Sequence, residues 1–226
     1  PMRSYSVIGL GEFGMSVARM LSDFQRDGIA AYDIDVRRVE MLKEFVAVAA
    51  ALDATNKSAL VGQGVDRDDV AIIAIGHDFE ANTIATLNVK ELGVKTVIAR
   101  ALSEEHGRIL RQIGADRVIY PERDIAANLV QAVLVPNIVR FSRVTPEMGM
   151  AHVAIPKGYQ DVPLGELGTS GKVRVIALIR QPAADAKPGT PPEVDDAPQA
   201  VTKVSGGDLL VLFGKNEEIN QVAVSL

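Results

Sequence analysis

The chain of 226 residues contains no cysteine and no tryptophan. Without thiols, disulfides, cysteine-ligated zinc and thiolate nucleophiles are all excluded, and the reducing cytosol fits better than secretion. Aromatic residues make up only 4%, too few for a base-stacking platform or a carbohydrate-binding face. Cationic excess is missing as well. The 24 Lys and Arg against 29 Asp and Glu leave a net charge of −5, so neither nucleic acid nor an anionic bilayer is expected as a partner. The longest uncharged apolar runs, 45–52 and 70–76, fall far short of the ~20 residues that span hydrocarbon. No signal-peptide pattern opens the chain, and the expectation is a soluble protein.

Hydrophobic residues nevertheless make up 47% of the chain, and charged residues 23%, which is enough to bury a core. They are mostly Ala, Val, Ile and Leu, arranged as short runs alternating with longer amphipathic segments. That alternation is the mark of a parallel sheet wrapped by helices. Strands are expected at 5–9, 29–33, 46–50, 70–75, 95–99 and 117–120, with helices at about 12–25, 36–45, 56–63, 79–92, 103–113 and 122–140. Gly93 and Gly114 read as helix C-caps and Ser103 as an N-cap. The last helix carries Ile125, Ala126, Leu129, Val130, Val133 and Leu134 on an apolar stripe before Pro136. Such a stripe is first of all a core signal, although a helix at a domain exit is also well placed for dimer exchange.

The length, about one and a half times the ~150 residues of an average domain, divides unequally. The fold class expected is α/β: a doubly wound parallel Rossmann-type sheet over 1–140, followed by a small α+β C-terminal lobe over 141–226. Strand-like segments there lie at 148–155, 172–180 and 208–214, giving three or four strands and a terminal helix. The stretch 181–204 holds five prolines and four acidic residues within 182–198 and reads as a flexible loop.

Residues 9–14 run Gly9, Leu10, Gly11, Glu12, Phe13, Gly14, directly after an apolar strand and before a helix. Gly9 suits a tight turn, Gly11 lets amides approach a pyrophosphate, and Gly14 lets the helix pack close to the strand. The phosphate would sit at the helix N-terminus. Asp33 ends the second strand 19 residues after Gly14, where a carboxylate accepts from a ribose hydroxyl and repels a 2′-phosphate. NAD, ADP and ATP are therefore favoured over NADP. Asp35 reads equally as a helix cap, and Asp53 either as an adenine contact or as the cap of the helix near Thr55 and Asn56. His77, His106 and His152 have no acidic or nucleophilic neighbour in a recognisable spacing, so each reads as exposed or capping. No catalytic residue is assigned, since GxxxxGK[ST], HExxH and GxSxG are all lacking.

SVIGLGEFG at 6–14, YDID at 32–35, LDAT at 52–55 and IGADRVIYPERD at 113–124 follow one another in order. Together they resemble the KTN or RCK regulatory subunits of bacterial potassium uptake systems of the Ktr and Trk type. The resemblance implies a cytoplasmic, non-enzymatic, nucleotide-binding subunit that binds ATP or ADP, or NAD in some members. It further implies homodimers assembled into a ring, often an octamer, beneath a potassium-translocating membrane subunit that the ring gates. By the same resemblance, Gly9, Gly11 and Gly14 cradle the phosphates and Asp33 holds the ribose, with Glu12 and Phe13 in the loop and Asp35 beyond the end of the second strand counted as further cofactor-binding candidates. Asp53, Ala54 and Thr55 fall near the adenine, Arg100 near the distal phosphates, and Glu122 near the nucleotide, where it takes part in binding Mg²⁺ or another divalent cation. Some members bind cyclic di-AMP at the C-terminal lobe, for which Val173, Ile176 and Arg180 are the candidates here.

This chain departs from the pattern at Glu12, where members that sense the γ-phosphate carry Arg. A carboxylate facing a terminal phosphate opposes it by about 1–4 kcal/mol at 4 Å, which points to ADP or NAD, or to ATP held with a divalent ion. The alternatives are a small NAD-dependent oxidoreductase and a nucleotide sensor with another partner.

Overall fold

The computed structural model describes residues 3–169, 171–182 and 189–226. The chain divides into two compact units, Pro1–Pro121 and Glu122–Leu226. In the first, the six expected strands form β1 (Tyr5–Ile8), β2 (Ile29–Asp33), β3 (Val48–Ala51), β4 (Val70–Ile73), β5 (Thr96–Arg100) and β6 (Arg117–Ile119). Between them run α1 (Glu12–Phe24), α2 (Val36–Glu40), α3 (Lys57–Gly62), α4 (Phe79–Glu91) and α5 (Glu104–Gln112). All pairings are parallel, in the order β3-β2-β1-β4-β5-β6. The order reverses between β1 and β4, which opens a crevice at their carboxyl ends.

The central strands β1, β2 and β4 are buried on both faces, their successive residues pointing to opposite sides. Ile8, Tyr32, Ala71 and Ile73 enter one core, while Val7, Ala31, Val70 and Ile72 enter the other. Each fully buried Val or Ile contributes about 1.5–3 kcal/mol relative to exposure. This two-sided burial is why the strands read as unbroken apolar runs. Gly93 and Gly114 carry φ of 87° and 105° just past α4 and α5, and Ser103 accepts from the His106 N–H at 3.1 Å, as their cap positions predict.

The second unit opens with α6 (Pro121–Leu134), followed by β7 (Ile138–Arg143), β8 (Met148–Ala154), β9 (Val162–Pro163), β10 (Arg174–Arg180) and β11 (Glu193–Asp195). β12 (Lys203–Val204), β13 (Leu209–Lys215) and α7 (Asn216–Ser225) complete it. An antiparallel sheet runs β11-β10-β13-β8-β7, and β12 pairs with β9. α7 packs on β8 and β13, closing a core of Phe141, Val153, Leu178, Leu210, Ile219 and Val222.

Four expectations change. The boundary falls at Pro121/Glu122 instead of 140/141. The helix expected over 122–140 ends at Leu134, and 138–143 is a strand. A bulge between Ile138 and Arg140 leaves Ile138 and Phe141 buried three residues apart, a spacing that mimics a helix. The loop expected over 181–204 contains an edge strand and a second short strand, since backbone pairing to β10 and β9 needs no apolar side chains; residues 183–188 of it lie outside the described residues. The α6 stripe joins no core, for Ile125, Leu129, Val130, Val133 and Leu134 are 52–70% exposed.

Candidate nucleotide site

The turn from β1 into α1 shows why each glycine is there. Gly9 has φ +94°, and a Cβ on it would lie 2.7 Å from the Ile75 N. A Cβ on Gly14 would collide with the Gly9 carbonyl oxygen and stand 3.1 Å from Ala74 Cβ. Gly11 differs: its backbone is extended and nothing lies within 4 Å of a built Cβ. The protein's own packing requires glycine at 9 and 14 and leaves 11 open. Gly11 is also the N-cap of α1 and supplies no side-chain cap. The first helical return is Met15 N–H to Gly11 O at 2.8 Å, so the first-turn amides point outward with the positive end of the helix dipole.

Asp33 is 7% exposed and is neither a solvated strand end nor a cap. Its Oδ2 accepts from the Leu10 N–H at 2.5 Å and its Oδ1 from the Asp35 N–H at 2.8 Å, so the carboxylate braces the glycine loop. Arg38 Nη1 stands 3.5 Å from Oδ2. A carboxylate offers about four lone-pair positions, which leaves capacity for a ribose hydroxyl. Asp35 caps α2 instead, accepting from the Arg37 N–H at 2.9 Å and pairing with that guanidinium at 2.9 Å. The Arg37 hydrogen bonds hold its carboxyl below the usual range.

Asp53 lies two residues beyond β3, the neighbour of β2. It accepts from the Thr55 hydroxyl at 2.7 Å and the Thr55 N–H at 2.9 Å, and those bonds lower its pKa. It does not cap α3; Asn56 does, accepting from the Ser58 and Ala59 amides. Ala54 is buried. Asn88, buried on α4, donates to the carbonyls of Ala54 at 3.2 Å and Thr55 at 2.9 Å and so fixes this loop.

Arg100 ends β5 and brings its guanidinium to the loop, with Cζ 5.6 Å from the Phe13 ring centroid. Glu12 is exposed in the first turn of α1. Glu122 opens α6 in the second unit. Among the described residues, no three His, Cys, Asp or Glu side chains gather to hold a metal. The structure therefore unites Gly9–Gly14, Asp33 and Arg100 at one crevice.

Arg38, Gly76, Asn82 and Asn88 went unread in the sequence. The asparagines left a signal, because Asn82, Thr86 and Asn88 share α4 with buried Ala85 and Val89, and polar residues on a buried face demand partners. His106 also departs from expectation, being 1% exposed with its ring centroid 4.5 Å from that of Phe79.

Sheet order, switch-point crevice and braced glycine loop define a Rossmann-type domain with a dinucleotide-binding fingerprint. The family model of the TrkA-N domain matches residues 5–121, and the chain belongs to that family. It is 30% identical over 224 residues to Ktr system potassium uptake protein A of Vibrio alginolyticus, covering 99% of this chain and 98% of that protein. To Ktr system potassium uptake protein C of Bacillus subtilis it is 28% identical over 221 residues, covering 97% and 95%. The fold also matches the GsuK channel at a TM-score of 0.65 and 17% identity, covering 97% of this chain and 38% of that one. A GsuK channel bound to NAD matches at 0.61 and 17%, covering 99% and 39%. The chain thus spans less than half of those two channel proteins. No helix among the described residues is long and apolar enough to cross a membrane.

Proposed function

We propose that the chain is the nucleotide-switched regulatory subunit of a Ktr-type potassium uptake system. In this reading it is cytoplasmic and not an enzyme, and it is held at the membrane by a potassium-translocating subunit. Near end-to-end similarity to Ktr system potassium uptake proteins A and C supports the system. The observation that carries the nucleotide is Gly11: the protein's own packing does not require a glycine there, whereas an arriving pyrophosphate does. A ligand moves such a subunit only through its different affinity for two states, and a ring of homodimers, octameric in the family pattern, supplies those states. The exposed apolar face of α6 gives each protomer a surface to bury against a second copy.

The ligand is an adenine nucleotide, ADP or ATP, or NAD. Glu12 favours ADP or NAD over metal-free ATP, for the carboxylate opposes a terminal phosphate. Among the described residues no cluster of His, Cys, Asp or Glu makes a metal site, so a divalent ion would arrive with the nucleotide phosphates. Cyclic di-AMP at the second unit has thinner support. An open depression of about 410 Å³ there is lined by Arg174, Val175, Ile176 and Asp196–Gln199, but Arg180 is engaged with Glu193 at 3.5 Å and the Lys203 carbonyl at 3.3 Å.

The test is potassium flux into vesicles holding a Ktr-type membrane subunit with this chain added. Flux that responds to ADP, ATP or NAD and loses that response with Asp33→Ala is expected. Flux indifferent to every nucleotide, or turnover of a hydroxy substrate by bound NAD, would overturn the reading in favour of an oxidoreductase.

A further inference from the structure

Three residues, Phe13 within the glycine motif and Gly76 and Asn82 outside it, bear on where the Arg100 guanidinium lies. Gly76, three residues past β4, is its seat. A Cβ built on Gly76 would stand 2.7 Å from Arg100 Cζ and 3.0 Å from Nη2, so the guanidinium rests against backbone that any side chain would displace. Phe13, in the first turn of α1, forms the wall, its ring centroid 5.6 Å from Cζ and within cation–π reach. Asn82 on α4 is fully buried. Its Nδ2 donates to the carbonyls of Ile75 at 2.6 Å and Arg100 at 3.1 Å, tying together the two chain ends that carry the seat and the arginine.

The geometry points to Gly76, Phe13 and Asn82 as positioning residues for phosphate recognition: they hold the Arg100 cation beside the open N-terminus of α1. The inference rests on the nucleotide reading above and sharpens it. A free arginine loses rotamer entropy each time it clamps an anion, whereas one seated on folding has already lost it. Placement matters more here because Glu12 projects from the same helix end. A guanidinium held on the Phe13 side supplies the positive charge that the loop's own side chains lack, and it acts on phosphate, not on adenosine.

The experiment measures ADP and NAD dissociation constants by calorimetry on the full chain and its variants, with thermal unfolding as the control for folding. Phe13→Leu and Gly76→Ala are each expected to weaken ADP by about three- to tenfold, while Phe13→Trp, which keeps a π face, retains wild-type affinity. In an Arg100→Gln background, Phe13→Leu and Gly76→Ala are expected to have no further effect, which a merely structural role would not produce. Equal losses in both backgrounds, or no loss in either, overturn the assignment. Phe13→Leu carries the test should Gly76→Ala fail to fold. If the unaltered chain binds neither ADP nor NAD, the nucleotide reading itself has failed, and the assignment with it.

Discussion

The two units bury their sheets by opposite rules. In the first, parallel strands are covered on both faces, and polar side chains are buried among them: Ser6, Asp33, Asn82, Thr86, Asn88 and His106. In the second, antiparallel strands alternate, as in the buried-and-half-buried pattern of β8, and Thr169 is its one buried polar side chain among the described residues. Burying a polar group costs free energy unless it is hydrogen-bonded. The first unit carries that cost where it shapes loops, since Asp33 braces the glycine turn, Asn88 the loop after β3, and Asn82 the ends of β4 and β5. The second has a largely apolar core. Polar burial thus concentrates in the unit that carries the glycine loop.

The largest expected effects set one unit's glycine against the other's core. Gly14→Ala drives a Cβ into the Gly9 carbonyl, a backbone atom that cannot step aside. A loss of about 3 kcal/mol in urea unfolding, at the upper end for overpacking, is expected. Gly11→Ala meets open space and should change stability by no more than about 0.5 kcal/mol, while weakening ADP in calorimetry. Equal stability losses at 11 and 14 would make both glycines structural and remove the support for a ligand.

Leu178→Ala tests the other side. Leu178 is fully buried in the second core, and the cavity should cost about 2–5 kcal/mol. Its effect should stay in the second unit, seen as an earlier unfolding step with ADP affinity unchanged. A parallel loss of ADP binding would mean that the two units share one stability.

The same contrast explains what could be read in advance. The central parallel strands were legible because two-sided burial writes each as an apolar run, and the glycine loop with Asp33 was legible because its geometry requires particular residue types. The second unit hid more. The bulge in β7 turned a strand's period into a helix's, and β11 is held by backbone pairing that leaves Val194 57% exposed. The unit boundary was misplaced because periodicity reveals that α6 has an apolar face, not what covers it. Around the site, Asp53 read equally as an adenine contact and as the cap of the helix near Thr55 and Asn56, and only the structure gives that cap to Asn56. The seat at Gly76 was invisible, since nothing local requires glycine there; the constraint comes from Arg100, 24 positions along the chain.

Acidification should affect both units through one histidine each. Burial pushes His106 down, and burial followed by the Arg140 charge pushes His152 down. His106 accepts from the Leu102 N–H through Nδ1 at 3.3 Å, so its neutral ring is the one that fits. Above the unfolded value of ~6.5 both states are neutral; below it the unfolded chain takes the proton first, and stability falls by up to about 1.4 kcal/mol per pH unit for each histidine. Urea unfolding between pH 7.5 and 5.5 should show this loss, with His106→Gln flattening it for the first unit and His152→Gln for the second. An unchanged slope in His106→Gln would mean that folding does not shift the titration of this ring.

The smallest effect separates two carboxylates two residues apart. Asp33 is buried and holds the loop, whereas Asp35 is half-buried against an Arg37 side chain that is 90% exposed. A surface pair of this kind contributes little, since solvent screens it and ordering two long side chains opposes it. Asp35→Ala removes a cap from a helix of only five residues, so a slight fall in unfolding midpoint is expected, with ADP affinity within about twofold of the unaltered chain. Asp33→Asn, by contrast, takes charge from a group that accepts the Leu10 amide and faces Arg38, and ADP binding should fall clearly. A tenfold loss at Asp35 would extend the site past the end of β2 onto α2. The polar groups that matter would then include exposed ones, and burial would no longer mark the site.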